Sequence, residues 1–258
     1  MPVVKINPHE EFPHLRNAPI VEAVIDFRAR AETGWTESRI TEALKTLLPD
    51  YPKRLSMSGF QHEFTLGPGA VPEGTRMETG WVGLRCQTED GLHVAQFNRD
   101  GFMFARLRPY DQWEQLVGEG LRLWKLFVEI AEPSEIQRMG LRFINRISLP
   151  PGDNRIEDYL EPAPAEVRDV ELPFQHFFHQ DTFGVPGYPY AVRLVRTIQP
   201  QQGPDPQSSG IILDIDVFTT QPFEPDPQTI EQRLTEMRWL KNKMFFGSVA
   251  SKALEAFG

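Results

Sequence analysis

Cysteine is almost missing from this sequence: Cys86 is the single cysteine among 258 residues. One thiol can form no disulfide within the chain, and it cannot build a metal site from several cysteines. Cys86 alternates with Val82 and Leu84 in an apolar segment, a pattern typical of a buried and unreactive thiol. We therefore expect Cys86 to be a core residue.

An excess of positive charge is missing as well. The chain has 27 Lys and Arg residues against 36 Asp and Glu residues, which gives a formal net charge of −9. A nucleic-acid-binding protein usually presents a surplus of Lys and Arg to the phosphates, so the composition predicts no nucleic-acid partner. Such binding would require these arginines to converge on one patch: Arg28, Arg85, Arg106, Arg142, Arg146 and Arg193.

No apolar run in the sequence approaches the length that spans a bilayer. The first residues also lack the apolar segment and the small-residue cleavage site of a secretory signal. These observations predict a cytoplasmic protein with no membrane partner.

Familiar catalytic and metal-binding motifs are missing too. The sequence contains no nucleophile elbow, phosphate loop or dinucleotide fingerprint. His176 and His179, close to Asp181, would share a face on a helix but lie on opposite faces of the strand predicted here, which defeats metal chelation. Ser248, which follows Gly247, can cap a short helix or help to bind an anion, and we favour the cap. We predict no catalytic residue, no metal and no cofactor.

The segments that are present read as strands and helices in a regular order. Strands are predicted over 20–27, 81–87, 92–97, 102–108, 136–147, 172–180, 188–198 and 211–219, with 60–66 as a further short candidate. Helices are predicted over 36–48, 111–131 and 226–247, with a helical turn at 158–160 and a short final helix. Asp-Gly pairs at 90–91 and 100–101 predict two tight hairpins.

This order predicts an α+β fold of pseudo-duplicated β-α-βββ-α units, in which an antiparallel sheet carries its long helices on one face. Residues 1–17 would form an N-terminal arm. Residues 18–258 would form a single domain of two structural repeats, over about 18–133 and 134–258.

Charged residues on the first strand of each predicted repeat form the candidate binding site. Alternation places Glu22 and Asp26 on one face of the first strand, and Arg142 and Arg146 on one face of its counterpart. Arg193 adds to the same mixed surface. A ladder of cross-strand ion pairs explains these residues, and we expect the acids to meet the arginines. A charged pocket is the alternative, in which the acids orient a ligand and the arginines bind its anionic group.

Aromatic residues cluster in one predicted hairpin of the second repeat. Alternation would bury about half of them and leave the others as a contact surface, unless the proline-rich linker packs over them. The cluster comprises Phe174, Phe177, Phe178, Phe183, Tyr188 and Tyr190.

Three segments resemble a sporadically distributed family of uncharacterised bacterial proteins of about this length. They are NAPIVEAVIDFR (17–28), GLRFINRI (140–147) and FFGSVASKALEAF (245–257). The resemblance implies one family-wide unit with no assigned reaction, cofactor or catalytic residue. The patchy distribution is typical of horizontally moved genes, including toxin–antitoxin and phage-defence genes.

Taken together, the sequence predicts a cytoplasmic, non-enzymatic binding or interaction protein, with a protein partner or homodimer contact at the open face of the sheet. The resemblance adds an accessory or antitoxin-like role in a mobile or defence operon. The alternative function is an enzyme or small-ligand sensor with a charged pocket on that same face.

Overall fold

The computed structural model describes residues 4–32, 34–65, 73–110, 112–150, 155–164, 176–199 and 209–258, with the backbone alone for 60–65 and 73–79. Its strands are Ile20–Arg28 (β1), Lys53–Thr65 (β2), Glu73–Gln87 (β3), His93–Asn98 (β4), Gly101–Leu107 (β5), Arg138–Ser148 (β6), Phe178–Gly184 (β7), Ala191–Gln199 (β8) and Gly210–Thr219 (β9). Its helices are Glu37–Leu47 (α1), Trp113–Ala131 (α2), Pro227–Phe246 (α3) and Ser251–Glu255 (α4), with a 3₁₀ turn at Ile156–Asp158.

Over these residues the strands form one open antiparallel sheet in the order β2-β3-β4-β5-β1-β6-β9-β8-β7. The strands β1 and β6, far apart in the sequence, pair with each other in the middle of the sheet. The strands that follow each of them lie progressively inward from the two edges, because successive antiparallel pairs return the chain toward the centre. Tight turns connect β3 to β4 and β4 to β5. The predicted α+β class with an antiparallel sheet is confirmed.

One face of the sheet, called the inner face here, carries the main core. Alternation along β1 buries Ala23, Ile25 and Phe27 there, each at most 1% exposed. Helix α1 packs on β3, α2 packs on β1 and β5, and α3 packs on β6, β8 and β9. Buried residues of these helices belong to the same cluster as the β1 residues, so the helices cover a single face as predicted. The other side is called the outer face.

The helix ends follow the predicted signals closely but not completely. Asp226 accepts a hydrogen bond from the Thr229 backbone N–H at 2.8 Å and caps α3. Thr36 occupies the N-cap position of α1, but its side chain makes no capping hydrogen bond. The cap predicted for Ser248 is wrong, because α4 begins at Ser251 and the Ser248 carbonyl accepts from the Glu161 backbone N–H. The predicted box around Asp111 lies outside the described residues.

The strands differ most from prediction at β2, β3 and β7. The short strand predicted at 60–66 is the end of the much longer β2, and β3 begins eight residues before the predicted 81. The strand predicted over 172–180 begins at Phe178 in the described part, with residues 172–175 outside it. Side-chain alternation identifies a strand only where burial selects one face, whereas backbone pairing can extend it further.

Within the described ranges, none of the helices has the length and apolar character needed to cross a membrane.

Candidate functional site

Strand register places most of the predicted site residues together on the outer face. Val24 lies opposite Arg142, which lies opposite Asp216, which in turn lies opposite Arg193. Residues directly opposite one another in an antiparallel pair project from the same face. The central strands β1, β6, β9 and β8 therefore gather Glu22, Asp26, Arg142 and Arg193 on one surface.

The partner of Asp26 is Arg138, which the sequence analysis did not single out. Arg138 donates to Asp26 through Nη1 and to Asp216 through Nη2, the latter at 3.0 Å. Arg193 donates to the same Asp216 carboxylate at 2.6 Å. Burial of Arg138 opposes its charge, but Asp26 and Asp216 outweigh burial and raise the pKa of Arg138. These four side chains form a continuous chain of ion pairs.

Arg142 and Arg146 also have partners other than the predicted ones. Arg142 holds Asp214 through two hydrogen bonds of 2.8 and 2.6 Å, which raise its pKa, and Glu22 adds a weaker charge effect. Arg146 donates to Gln199 at 3.1 Å. The expected meeting of Asp26 with Arg142 or Arg146 is therefore wrong. A ligand anion at this surface would have to compete with carboxylates already bound to Arg142 and Arg193.

Gly140 explains why Arg138 and not Arg142 reaches Asp26. The register sets Gly140 directly opposite Asp26. A Cβ atom at Gly140 would overlap Oδ1 of Asp26 and Nη1 of Arg138. The missing side chain leaves the space in which the Arg138 guanidinium crosses to Asp26, a close approach that a single sequence does not reveal.

Beside the ion pairs, the outer face carries apolar residues. Val24, Val94 and Ala105 are at most 8% exposed there and form a small core of their own, covered by Met103 and Leu107. Toward the edge of the sheet, Leu55 of β2 is 60% exposed. At the opposite edge, Phe178 of β7 is 61% exposed. Both edges of the outer face therefore present large apolar side chains to solvent.

The pairing of β2 with β3 extends well beyond the rest of the sheet. The two strands pair from Lys53 opposite Gln87 to Thr65 opposite Glu73, whereas β4 pairs with β3 only over Gly83–Gln87. Within the described residues, the segments 58–65 and 73–81 pair with each other and with no third strand. We call these two segments the β2–β3 ribbon.

The other predictions about reactive residues have clear outcomes. Cys86 is fully buried, which raises the pKa of its thiol to about 11, as expected of an unreactive core cysteine. His179 lies in β7 and His176 precedes it, while Asp181 accepts from Arg196 at 3.0 Å. In the part of the chain that the structure describes, no cluster of His, Cys, Asp or Glu could hold a metal ion.

The aromatic cluster is divided between core and surface. Phe177 and Tyr190 are buried, while Phe178 and Phe183 are exposed on opposite faces of the edge strand β7. Tyr188 is partly buried, and its hydroxyl accepts from the Ile6 backbone N–H at 3.2 Å. Phe174 lies outside the described residues. Among the described residues of this cluster, Phe178 is therefore exposed on the outer face and Phe183 on the inner face.

The inner side of the molecule carries a cleft that the sequence analysis missed, here called the arm pocket. Residues 8–16 of the N-terminal arm, the chain at 18–20, the start of α2 and the C-terminal half of α3 line a cleft of about 840 Å³, and Asn145 of β6 lines it from the sheet. The arm is fixed to α3: Glu10 accepts from Trp239 Nε1 at 2.7 Å and from Lys243, and Phe12 stacks on Phe246.

The arm pocket also contains the most perturbed lysine of the described chain. Lys241 of α3 is partly buried, with its Nζ atom 4.2 Å from the centre of the Phe143 ring. Burial, followed by the charge of Arg238, lowers the pKa of Lys241 to about 7. Lys241 looks like a surface residue in the polar sequence RWLKNK, so only its position beneath the folded arm reveals it.

The chain was compared with family models, curated proteins and solved structures. No family model matches the sequence, and no curated protein or solved structure matches it either. The resemblance to a sporadic bacterial family therefore stays a prediction, and the function has to be argued from the geometry above.

Proposed function

We propose that the protein is a non-enzymatic interaction protein that binds a second copy of itself through β2 and the adjoining outer face. The observation that carries this proposal is the β2–β3 ribbon. A two-stranded ribbon alone is marginally stable in water, and it gains stability when another chain packs or pairs against it. The ribbon therefore supports an interface at this edge of the sheet.

The edge strand β2 suits a twofold contact between identical chains. Within the described residues, no strand pairs with the free edge of β2, so its backbone donors and acceptors on that side are available. Antiparallel pairing of β2 with the β2 of another copy would join two sheets into one and satisfy these groups. Leu55 and the half-buried Met57 alternate onto the outer face and would be buried at this seam.

Light scattering coupled to size-exclusion chromatography tests the proposal on the intact chain. We expect a mass twice the 29.6 kDa of one chain. Leu55→Lys should weaken the dimer by about tenfold or more, because each copy would bring a charged ammonium group into the apolar seam. Phe183→Lys is the matched control, since Phe183 is 46% exposed on β7, at the opposite edge of the sheet from β2.

A monomer at all concentrations would overturn the proposal, as would a dimer that Leu55→Lys leaves intact. The alternative of a charged catalytic pocket on the outer face gains no support, because Arg138, Arg142 and Arg193 are engaged with carboxylates of the same chain. A cytoplasmic location and an accessory or antitoxin-like role remain part of the proposal, the role resting on the resemblance.

The duplication is also proposed. In support of it, β1 and β6 occupy equivalent central positions, and each is followed by hairpin-linked strands and a long helix on the inner face. The halves differ in detail, since α1 is followed by four strands before α2, while the 3₁₀ turn is followed by three strands before α3. Superposition of residues 20–131 on 138–246 tests the relation.

A further inference from the structure

Two cationic side chains of α3 lie one helical turn apart at the arm pocket. The Lys241 Nζ atom lies 4.2 Å from the centre of the Phe143 ring, and the Arg238 Cζ atom lies 4.9 Å from that of Trp113. Cations are attracted to the faces of aromatic rings, so each ring holds its cation in place. The pocket thus presents an oriented guanidinium and an oriented amine, and the amine can be charged by a proton when an anion binds.

These charges are poorly neutralised by the protein itself. Among the described residues, no acidic group raises the pKa of Lys241, which falls to about 7 because of burial and of Arg238. Glu114 lies 4.0 Å from Arg238, but its side chain is 73% exposed, so solvent screens the pair. Glu10 is already engaged by Trp239 and Lys243. Two like charges in a cleft are unfavourable until an anion joins them.

Aromatic side chains line one part of the pocket, while polar groups line the larger share of its surface. Its volume of about 840 Å³ lies within the range of small-molecule sites. The pocket is lined by five aromatic side chains besides Phe12, namely Tyr110, Trp113, Trp239, Phe245 and Phe246. Apolar and aromatic walls with a few oriented polar groups are the usual composition of a ligand site.

We propose that the arm pocket binds one organic carboxylate with an aromatic or aliphatic body. The carboxylate lies between Arg238 and Lys241, and the body packs against the aromatic wall. This site is on the inner side of the sheet and goes beyond the dimer contact proposed above.

Isothermal titration calorimetry of the intact chain tests this site with naphthalene-1-carboxylate, decanoate, naphthalene-1-carboxamide and inorganic phosphate. We expect at least one carboxylate to bind with one site per chain, and naphthalene-1-carboxamide to bind about tenfold more weakly than naphthalene-1-carboxylate. Lys241→Met should weaken carboxylate binding by about tenfold, and Lys241→Arg should retain it. Lys45→Met, on the exposed side of α1, is the matched control and should bind as the wild type does.

Absence of binding by both carboxylates would overturn the proposal, as would equal affinity for naphthalene-1-carboxylate and its amide. Phosphate that binds as tightly as the carboxylates would also overturn it, because the apolar wall would then contribute nothing. The comparison of probes uses the unmodified chain, so it tests carboxylate binding even if Lys241→Met fails to fold. Leu55→Lys should not change carboxylate affinity, and this separates the two proposals.

Discussion

At the scale of single residues, Arg138 holds together the ion pairs of the outer face. Its side chain is 16% exposed and bridges Asp26 of β1 and Asp216 of β9, the latter carboxylate being 6% exposed. Sequence alternation correctly placed acids and arginines on one face but could not choose the pairs. That choice depends on Gly140, which leaves room for the guanidinium beside Asp26.

Loss of Arg138 should therefore be costly. Arg138→Met leaves the Asp26 and Asp216 carboxylates without their shared cation, and we expect the free energy of unfolding to fall by about 2–4 kcal/mol. Lys45→Met removes an exposed ion pair with Glu42 and should change the free energy of unfolding by less than about 0.5 kcal/mol. Urea denaturation measures both. If both substitutions lower the free energy of unfolding by the same small amount, the outer-face ion pairs contribute little to stability.

The second prediction at this scale concerns the pH dependence of stability. Lys241 has a pKa of about 7 in the folded chain and an ordinary value of about 10.4 when unfolded. Below pH 7 the residue is charged in both states, and burial of that charge destabilises the fold. This cost falls as the pH rises from 7 toward the unfolded pKa, and well above that pKa the residue is neutral in both states. Without added ligand, Lys241→Met should be more stable than the wild type at pH 7, and the difference should disappear toward pH 10.

Thermal unfolding of both proteins across this range measures the effect. The other titratable groups lining the pocket are His9, Glu10, Glu11, His14, Arg16, Tyr110, Glu114 and Arg238. They are present in both proteins, so the difference between the two curves isolates Lys241. A difference that stays constant with pH would mean that Lys241 titrates normally.

At the scale of elements, α2 contains two glycines in opposite environments. A Cβ atom at Gly118 would meet nothing within 4 Å, whereas one at Gly120 would lie 2.9 Å from Cδ1 of the buried Ile25. Gly118→Ala should stabilise the protein by about 0.5–1 kcal/mol, because alanine favours helix. Gly120→Ala should destabilise it by about 1–2 kcal/mol, because the core of α2 against β1 would be overpacked.

Urea denaturation of the two variants makes each the control for the other, since the change is identical and the sites lie on one helix. If both variants change the free energy of unfolding in the same direction, then either helix propensity alone or core packing alone determines how alanine affects α2. The length of α2 itself was predicted correctly, because its apolar stripe and the proline that follows are local signals.

At the scale of the whole molecule, the sheet separates two surfaces with different chemistry. The outer face has internally matched charges and apolar edges, which suits contact with another chain. The inner side holds the arm pocket, where α2 and α3 lie over different strands and the N-terminal arm packs on α3. The composition predicts neither surface. The chain is acidic overall, yet α3 places two cationic side chains, Arg238 and Lys241, at the arm pocket.

The sequence by itself determined the three long helices, the two Asp-Gly hairpins and the buried face of the central strands. These features depend on local signals: the period of the apolar residues, the Asp-Gly turns and the cap at Asp226. Strand alternation was also enough to predict that Cys86 is buried.

The tertiary structure alone decided which residues meet. Strand order brings β1 against β6, register pairs Asp26 with Arg138, and folding of the arm onto α3 encloses Lys241. Each of these contacts joins residues that are distant in the chain. Their geometry depends on register and on missing side chains such as that of Gly140, and no local pattern in the sequence encodes either.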